Sequence, residues 1–172
     1  MTSLGAILVA MGILALVVAW LLSRTTGVRA AAAVVASDVG QLKVETLRDP
    51  ALRIRGRPDY LMRERGSDRI YPMEVKPTRE SATLYESDAL QLAAYMLLAE
   101  VRYGKAFAGY GIVRYRAAEF RVPLTAELRR RCITAAEGIR AARQAAAVHR
   151  SHEVRAKCWA CGVRSACDES LT

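Results

Sequence analysis

With 172 residues the chain is long enough for one domain with a real core, and no internal repeat points to a solenoid array. Apolar residues make up 52%, a high share that a single segment largely explains. The net charge is +9, and no charged residue precedes Arg24, so the whole excess belongs to the body of the chain. That sign argues against polycations and for polyanions, either nucleic acid or an anionic membrane surface.

The first element is the uncharged run "LGAILVAMGILALVVAWLL", residues 4–22. At 1.5 Å per residue it is long enough to cross a bilayer's hydrocarbon core, with Trp20 near one end as an interfacial anchor. A cleaved signal peptide and a buried soluble helix are the alternatives. Met1–Ser3 has no basic side chain, whereas Arg24 and Arg29 follow the run. Signal peptides have the opposite polarity, and basic residues on the C-terminal flank hold that side in the cytoplasm. The reading is one N-terminal transmembrane helix over residues 1–23, a single-pass membrane location and a cytoplasmic body.

Residues 24–40 read as a juxtamembrane linker with an alanine-rich piece of helical propensity. "QLKVETLRD" (41–49) reads as a first strand, stopped by Asp49-Pro50. "ALRIRGRPDYLMRE" (51–64) is a second strand, bent near Gly56 and Pro58, and "RIYPMEVK" (69–76) a third, joined by the turn "RGSD". A helix follows over 84–103, with Leu90, Ala94, Leu97, Leu98 and Val101 as its apolar set and Gly104 as its stop. Residues 106–115 and 119–124 are two more strands. Thr125 is the expected N-cap of a second long helix over 126–148, aligned through Leu128, Cys132, Ala135 and Ile139. Strands, helix, strands, helix is the order of an α/β domain built on a mixed sheet. The core is expected over 41–150, with a cysteine-bearing tail over 151–172.

The third strand carries the chemistry. Glu74 and Lys76 stand two apart and so leave the same face. With the hairpin centred between Gly66 and Ser67, Glu64 faces Arg69 and Asp59 faces Glu74. Two directly opposed carboxylates repel. A hard divalent cation relieves that fully, and Lys76 only in part. An ordinary ion pair of Asp59 or Glu74 with Lys76 or a nearby arginine is the structural alternative. Pro72 cannot donate to the second strand, which favours a four-residue loop over a two-residue one. On the next helix Gln91 and Tyr95 are four apart, on one face.

Three signals in order, "GRPD" (56–59), "EVK" (74–76) and "QLAAY" (91–95), resemble the RecB-like branch of the PD-(D/E)XK nucleases. In particular they look like the CRISPR-associated exonuclease family called Cas-four, over roughly residues 42–170. The resemblance implies a restriction-endonuclease-like mixed sheet flanked by helices and a metal-dependent phosphodiesterase acting on nucleic acid, with DNA favoured. It implies Asp59, Glu74 and the Val75 backbone carbonyl as ligands of Mg²⁺ or Mn²⁺. Lys76 would hold the attacking water or stabilise charge on the scissile phosphate, and Gln91 and Tyr95 would position Lys76 and the nucleic-acid backbone. All-oxygen ligands suit those cations. The family's further acidic or His residue upstream has only Asp38 and Glu45 as candidates here. A binding module of the same fold with impaired catalysis is therefore the alternative.

The tail holds Cys158, Cys161 and Cys167 in a C-x₂-C-x₅-C spacing that suits a metal or cluster. It resembles the cysteine triad that in the Cas-four family joins one upstream cysteine around a [4Fe–4S] cluster. Cys132 is the only other cysteine, and its place in an apolar stripe reads as a buried structural thiol. His149 or His152 as fourth ligand would make a Zn²⁺ site instead.

Overall fold

The structure, a computed structural model, describes residues 11–14, 33–37 and 44–172, with only the backbone described for 33–37. The expected membrane-spanning run therefore lies outside the described residues except for 11–14, which are helical. Among the described residues no helix is long and apolar enough to cross a membrane.

The chain divides into two compact units, Met1–Ile133 and Thr134–Thr172. In the first, five strands form a mixed sheet in the order β1-β4-β5-β6-β7: β1 (Ala33–Ser37), β4 (Tyr60–Arg63), β5 (Ile70–Lys76), β6 (Tyr110–Tyr115) and β7 (Glu119–Pro123). Only β5 and β6 run parallel, joined through helix α1 (Glu86–Tyr103). A parallel pair needs such a crossover, and here it carries the helix over the sheet. A separate antiparallel hairpin, β2 (Leu47–Asp49) and β3 (Ile54–Gly56), packs against the same helix. A mixed sheet flanked by helices is observed, as the element order predicts, but the expected first strand is not part of it: its Leu47–Asp49 end pairs only with β3 in the separate hairpin.

Three local expectations change. The alanine-rich segment supplies edge strand β1, antiparallel to β4, rather than helix. Sheet pairing overrides alanine's modest helical preference there, as tertiary context commonly does. The second predicted strand is two strands, β3 and β4, interrupted at Arg57, Pro58 and Asp59. Finally, both helical stripes shift. Helix α1 buries Leu92, Ala93, Met96, Leu97, Leu98 and Ala99, whereas Val101 is exposed. Helix α2 (Ala126–Gln144) buries Leu128 and Cys132 but leaves Ala135 and Ile139 exposed.

Leu92, Met96 and Leu97 pack with Val113, Tyr115, Leu128 and Cys132 in one core cluster. A second cluster, Tyr60, Met62, Tyr71, Met73, Tyr110 and Ile112, lines the other face of the sheet. Burying each large apolar side chain contributes about 1.5–3 kcal/mol, so Tyr71 and Met73 anchor one face of β5. The ends of β5, where Glu74 and Lys76 sit, inherit that rigidity.

The second unit holds helix α3 (Arg155–Trp159) and a short 3-10 turn, Arg164–Ala166. Glu169 ties it together by accepting from the Arg150 backbone N–H and pairing with His149.

Candidate active site

The β4–β5 register is the one the turn predicts: Tyr60 opposes Met73, Leu61 opposes Pro72, Met62 opposes Tyr71 and Arg63 opposes Ile70. The Glu64 N–H donates to the Arg69 carbonyl at 2.9 Å, which leaves Arg65–Asp68 as a four-residue loop. Hydrogen-bonded and non-bonded pairs alternate in an antiparallel ladder. Counting from Glu64, the Leu61–Pro72 pair is non-bonded, so proline's missing N–H costs β4 nothing.

Continued by one residue, the register sets Asp59 opposite Glu74, but β4 stops at Tyr60. The Val75 N–H, aimed at that side, has lost its backbone acceptor. The Asp59 side chain replaces it, Oδ2 accepting from the Val75 N–H at 2.8 Å. A strand residue's N–H and C=O point to the same neighbour, so the Val75 carbonyl also faces the end of β4 beside Asp59. The interruption at 57–59 thus brings a carboxylate and a backbone carbonyl to one place.

Glu74 is 4% exposed. Its Oε1 accepts from Lys76 Nζ at 2.7 Å and from Gln91 Nε2 at 2.8 Å. Its Oε2 is buried and has no hydrogen-bond partner. Such an atom costs free energy unless something occupies the space beside it. Burial pushes the Glu74 carboxyl up, and the charge of Asp59 pushes it further, against the opposing pull of Lys76 and a weaker one from the Asp59 backbone N–H, which is too far from Oε2 or too poorly aligned to make a hydrogen bond with it. For Lys76 burial works downward, but its hydrogen bond to Glu74 and the nearby carboxylates outweigh it and hold the ammonium above its ordinary range. Lys76 is therefore a fixed cation at neutral pH and not a proton acceptor.

Helix α1 closes the other side. Lys76 Nζ also donates to Gln91 Oε1 at 3.0 Å, and Gln91 Nε2 reaches the Tyr95 hydroxyl at 3.1 Å. Tyr95 stays a neutral phenol, raised chiefly by burial. Gly56 explains how the helix comes so close. A Cβ at Gly56 would stand 2.8 Å from the Tyr95 ring and 3.3 Å from Leu98, so only glycine lets β3 pass. Asp59, Glu74, Lys76, Gln91 and Tyr95 converge as one hydrogen-bonded group with the Val75 backbone.

A supporting network is absent from the sequence reading. Asp88, 3% exposed in the first turn of α1, accepts from Arg79 at 2.7 Å and from the Tyr115 hydroxyl at 2.5 Å. The Tyr115 oxygen in turn accepts from the Tyr85 N–H at 3.0 Å. This ties the loop after Lys76 and the start of α1 to the end of β6. An acid three residues before Gln91 on the same helix was the available signal.

The Asp59 and Glu74 carboxylates, the second with its unpaired Oε2, and the Val75 carbonyl form an all-oxygen set that fits Mg²⁺ or Mn²⁺. Glu45 does not join it: it is exposed, and its charge is felt at Tyr103, about 12 Å along the helix from Tyr95. Asp38 lies outside the described residues.

The cysteines are all free. Among the described residues no three His, Cys, Asp or Glu side chains gather as a metal site, so Cys158, Cys161 and Cys167 do not converge here. Cys158 is buried, Cys161 exposed and Cys167 intermediate. Cys132 lies in the core cluster with its thiol 3.8 Å from the Leu90 carbonyl, and burial raises its pKa. That is the structural thiol of the apolar-stripe reading. His149 pairs with Glu169 and His152 accepts from the Val154 N–H.

A family model described as the PD-(D/E)XK nuclease superfamily matches residues 10–168. The chain belongs to the PD-(D/E)XK nuclease superfamily. Fifteen chains of solved structures match as well. One, the crystal structure of SSO0001, is 20% identical with a TM-score of 0.53, covering 99% of this chain and 73% of that one. At that identity it speaks for the fold. No curated protein matches. Membership in the superfamily makes nucleic acid the substrate class and phosphodiester hydrolysis the reaction class, and its members generally work with Mg²⁺ or Mn²⁺.

Proposed function

We propose that this PD-(D/E)XK protein is an active metal-dependent DNA nuclease, of the RecB-like branch and similar to the Cas-four exonucleases, held at a membrane by residues 4–22. The observation that carries the catalytic reading is the buried Glu74 Oε2, left without a partner beside the Asp59 carboxylate. A purely structural ion pair would have no use for a second, unpaired oxygen.

Asp59, Glu74 and the Val75 carbonyl would hold the divalent cation. When bound there, it supplies polarisation of the phosphoryl oxygen and a lowered pKa for the attacking water. Lys76 offers three N–H donors, of which Glu74 and Gln91 take one each. The third is available to a nonbridging phosphate oxygen, where a fixed cation offsets charge that grows in the transition state. Gln91 bridges Glu74 and Lys76, and Tyr95 holds Gln91, so the helix sets the ammonium's position before substrate arrives.

The test is cleavage of single-stranded and duplex DNA by the full-length chain in Mg²⁺, Mn²⁺ and chelator. Lys76→Ala should cost about 10²–10³ in rate while metal-dependent stabilisation persists. No cleavage by the wild-type chain under any of these conditions would end the catalytic reading. It would favour the second one, a non-hydrolysing nucleic-acid binder, to which the position of Glu45 away from the centre lends weight. Membrane fractionation of the intact chain tests the anchor. Visible absorbance and metal content of the purified protein test whether the tail takes a [4Fe–4S] cluster or Zn²⁺.

A further inference from the structure

The outer face of the β2–β3 hairpin is built from arginine. Arg48 and Arg55 are directly opposed Cα partners, and both are exposed. Their neighbours Leu47 and Asp49 turn inward and are buried, which leaves the guanidinium groups on the solvent side. Like charges directly opposed across a hairpin destabilise it. Some arginines elsewhere in this unit are relieved by acids: Arg116 pairs with Glu80, Arg129 with Glu100 and Arg131 with Glu86. Arg48, Arg53 and Arg55 have no ion pair or hydrogen bond from their side chains among the described residues.

Arg53 adds an independent observation. It holds φ 52°, and it is the only non-glycine residue at positive φ among the described residues. The Asp49 carboxylate accepts from the Ala51 and Leu52 N–H groups in the turn that leads to Arg53. Glycine or asparagine fits there with less strain. A long cationic side chain at such a position carries strain that glycine would avoid, and strained residues cluster at functional sites.

The hairpin also lies beside the catalytic group. Gly56 at the end of β3 packs on Tyr95, and Asp59 follows three residues later, with exposed Arg57 between. Arg48 and Arg55, as cross-strand partners, have Cα atoms about 4.5–5.5 Å apart, close enough for their long side chains to meet neighbouring phosphates of one strand, and Arg53 lies in the adjoining turn.

We propose that Arg48, Arg53 and Arg55 form a phosphate-backbone track that leads a nucleic-acid strand to the Asp59–Glu74 centre; this rests on the nuclease reading for the strand's destination, but not for its binding. The track positions the strand without reading its bases, so binding through it is independent of sequence and sensitive to salt.

The test is fluorescence anisotropy of the full-length chain with a labelled single-stranded and a labelled duplex oligonucleotide, in chelator, across a salt series. The chelator stops hydrolysis, so binding is read apart from it. The triple variant Arg48→Gln/Arg53→Gln/Arg55→Gln should bind at least about tenfold more weakly at 0.1 M salt. Its log–log salt slope should be smaller by about 2 on single strands and about 3 on duplex. Arg53→Gly alone should melt at a higher temperature and yet bind more weakly, a pairing that a structural role cannot produce. If binding falls as described while no metal ion elicits cleavage, the track stands and the hydrolase reading fails. Unchanged affinity and slope in the triple variant, or higher stability with unchanged binding in Arg53→Gly, overturn the track. So does a loss of binding to phosphatidylserine vesicles with nucleic-acid affinity intact.

Discussion

Glu74→Gln separates a metal centre from a structural ion pair, because the two readings disagree in sign. The substitution keeps the shape and removes the charge. In the metal-free fold the ionised Glu74 is buried with Oε2 unpaired, and burial raises its pKa with Asp59 adding to the effect. The folded carboxyl therefore holds its proton more tightly than the unfolded one, so ionisation costs stability. That cost opens as pH rises from the ordinary carboxylate range to the raised folded value and is complete above it. An unpaired buried polar atom costs about 1–3 kcal/mol. The low end applies here, because the amide –NH₂ takes the place of Oε2 and the hydrogen bond from Lys76 weakens, so the gain is the removed buried charge alone. In chelator at neutral pH, Glu74→Gln should be more stable than wild type by about 1 kcal/mol, or about 2–4 °C in Tm. Saturating Mn²⁺, at a hundred times its Kd, should stabilise wild type by about 2.7 kcal/mol and leave the variant unmoved, which reverses their order. Thermal denaturation followed by circular dichroism, in chelator and in Mn²⁺ from pH 4 to 8, reads all of this. A variant less stable than wild type in chelator, or equal stabilisation of both by Mn²⁺, would refute the reasoning and leave an ordinary Glu74–Lys76 bridge.

Tyr95→Phe removes one acceptor from Gln91 and leaves its bond to Glu74, so kcat should fall by about fivefold, corresponding to about 1 kcal/mol, with little change in Tm. Gly56→Ala drives a methyl against the Tyr95 ring and should cost about 1–3 kcal/mol of stability as well as activity, measured by denaturant melts and the cleavage assay. Asp88→Ala strands the partly exposed Arg79 and the Tyr115 hydroxyl, and should destabilise by about 3 kcal/mol by the same melts, although it touches no substrate.

Part of the Asp59–Glu74 centre is local in the chain. The "RGSD" turn and the period-two pattern on either side are properties of a short stretch of chain, and they sufficed to place Asp59 across from Glu74. Helical periodicity likewise put Gln91 and Tyr95 on one face. Which side of α1 would be buried was not local: Leu90, Ala94 and Val101 have the right spacing, yet the sheet and the β2–β3 hairpin bury Leu92, Met96 and Ala99 more fully.

From the amino acids alone came the acids, the lysine, their order, the hairpin register and the mixed-sheet class, because turn chemistry and side-chain alternation act over a few residues. Tertiary structure decided the rest. It ended β4 one residue short, so that Asp59 caps Val75; it buried Glu74 until one oxygen lost every partner; and it brought Arg79, Asp88 and Tyr115 together from three elements. It also drew an alanine-rich segment into the sheet edge. Burial and unsatisfied hydrogen bonding depend on what the distant chain packs against, and no local pattern encodes that.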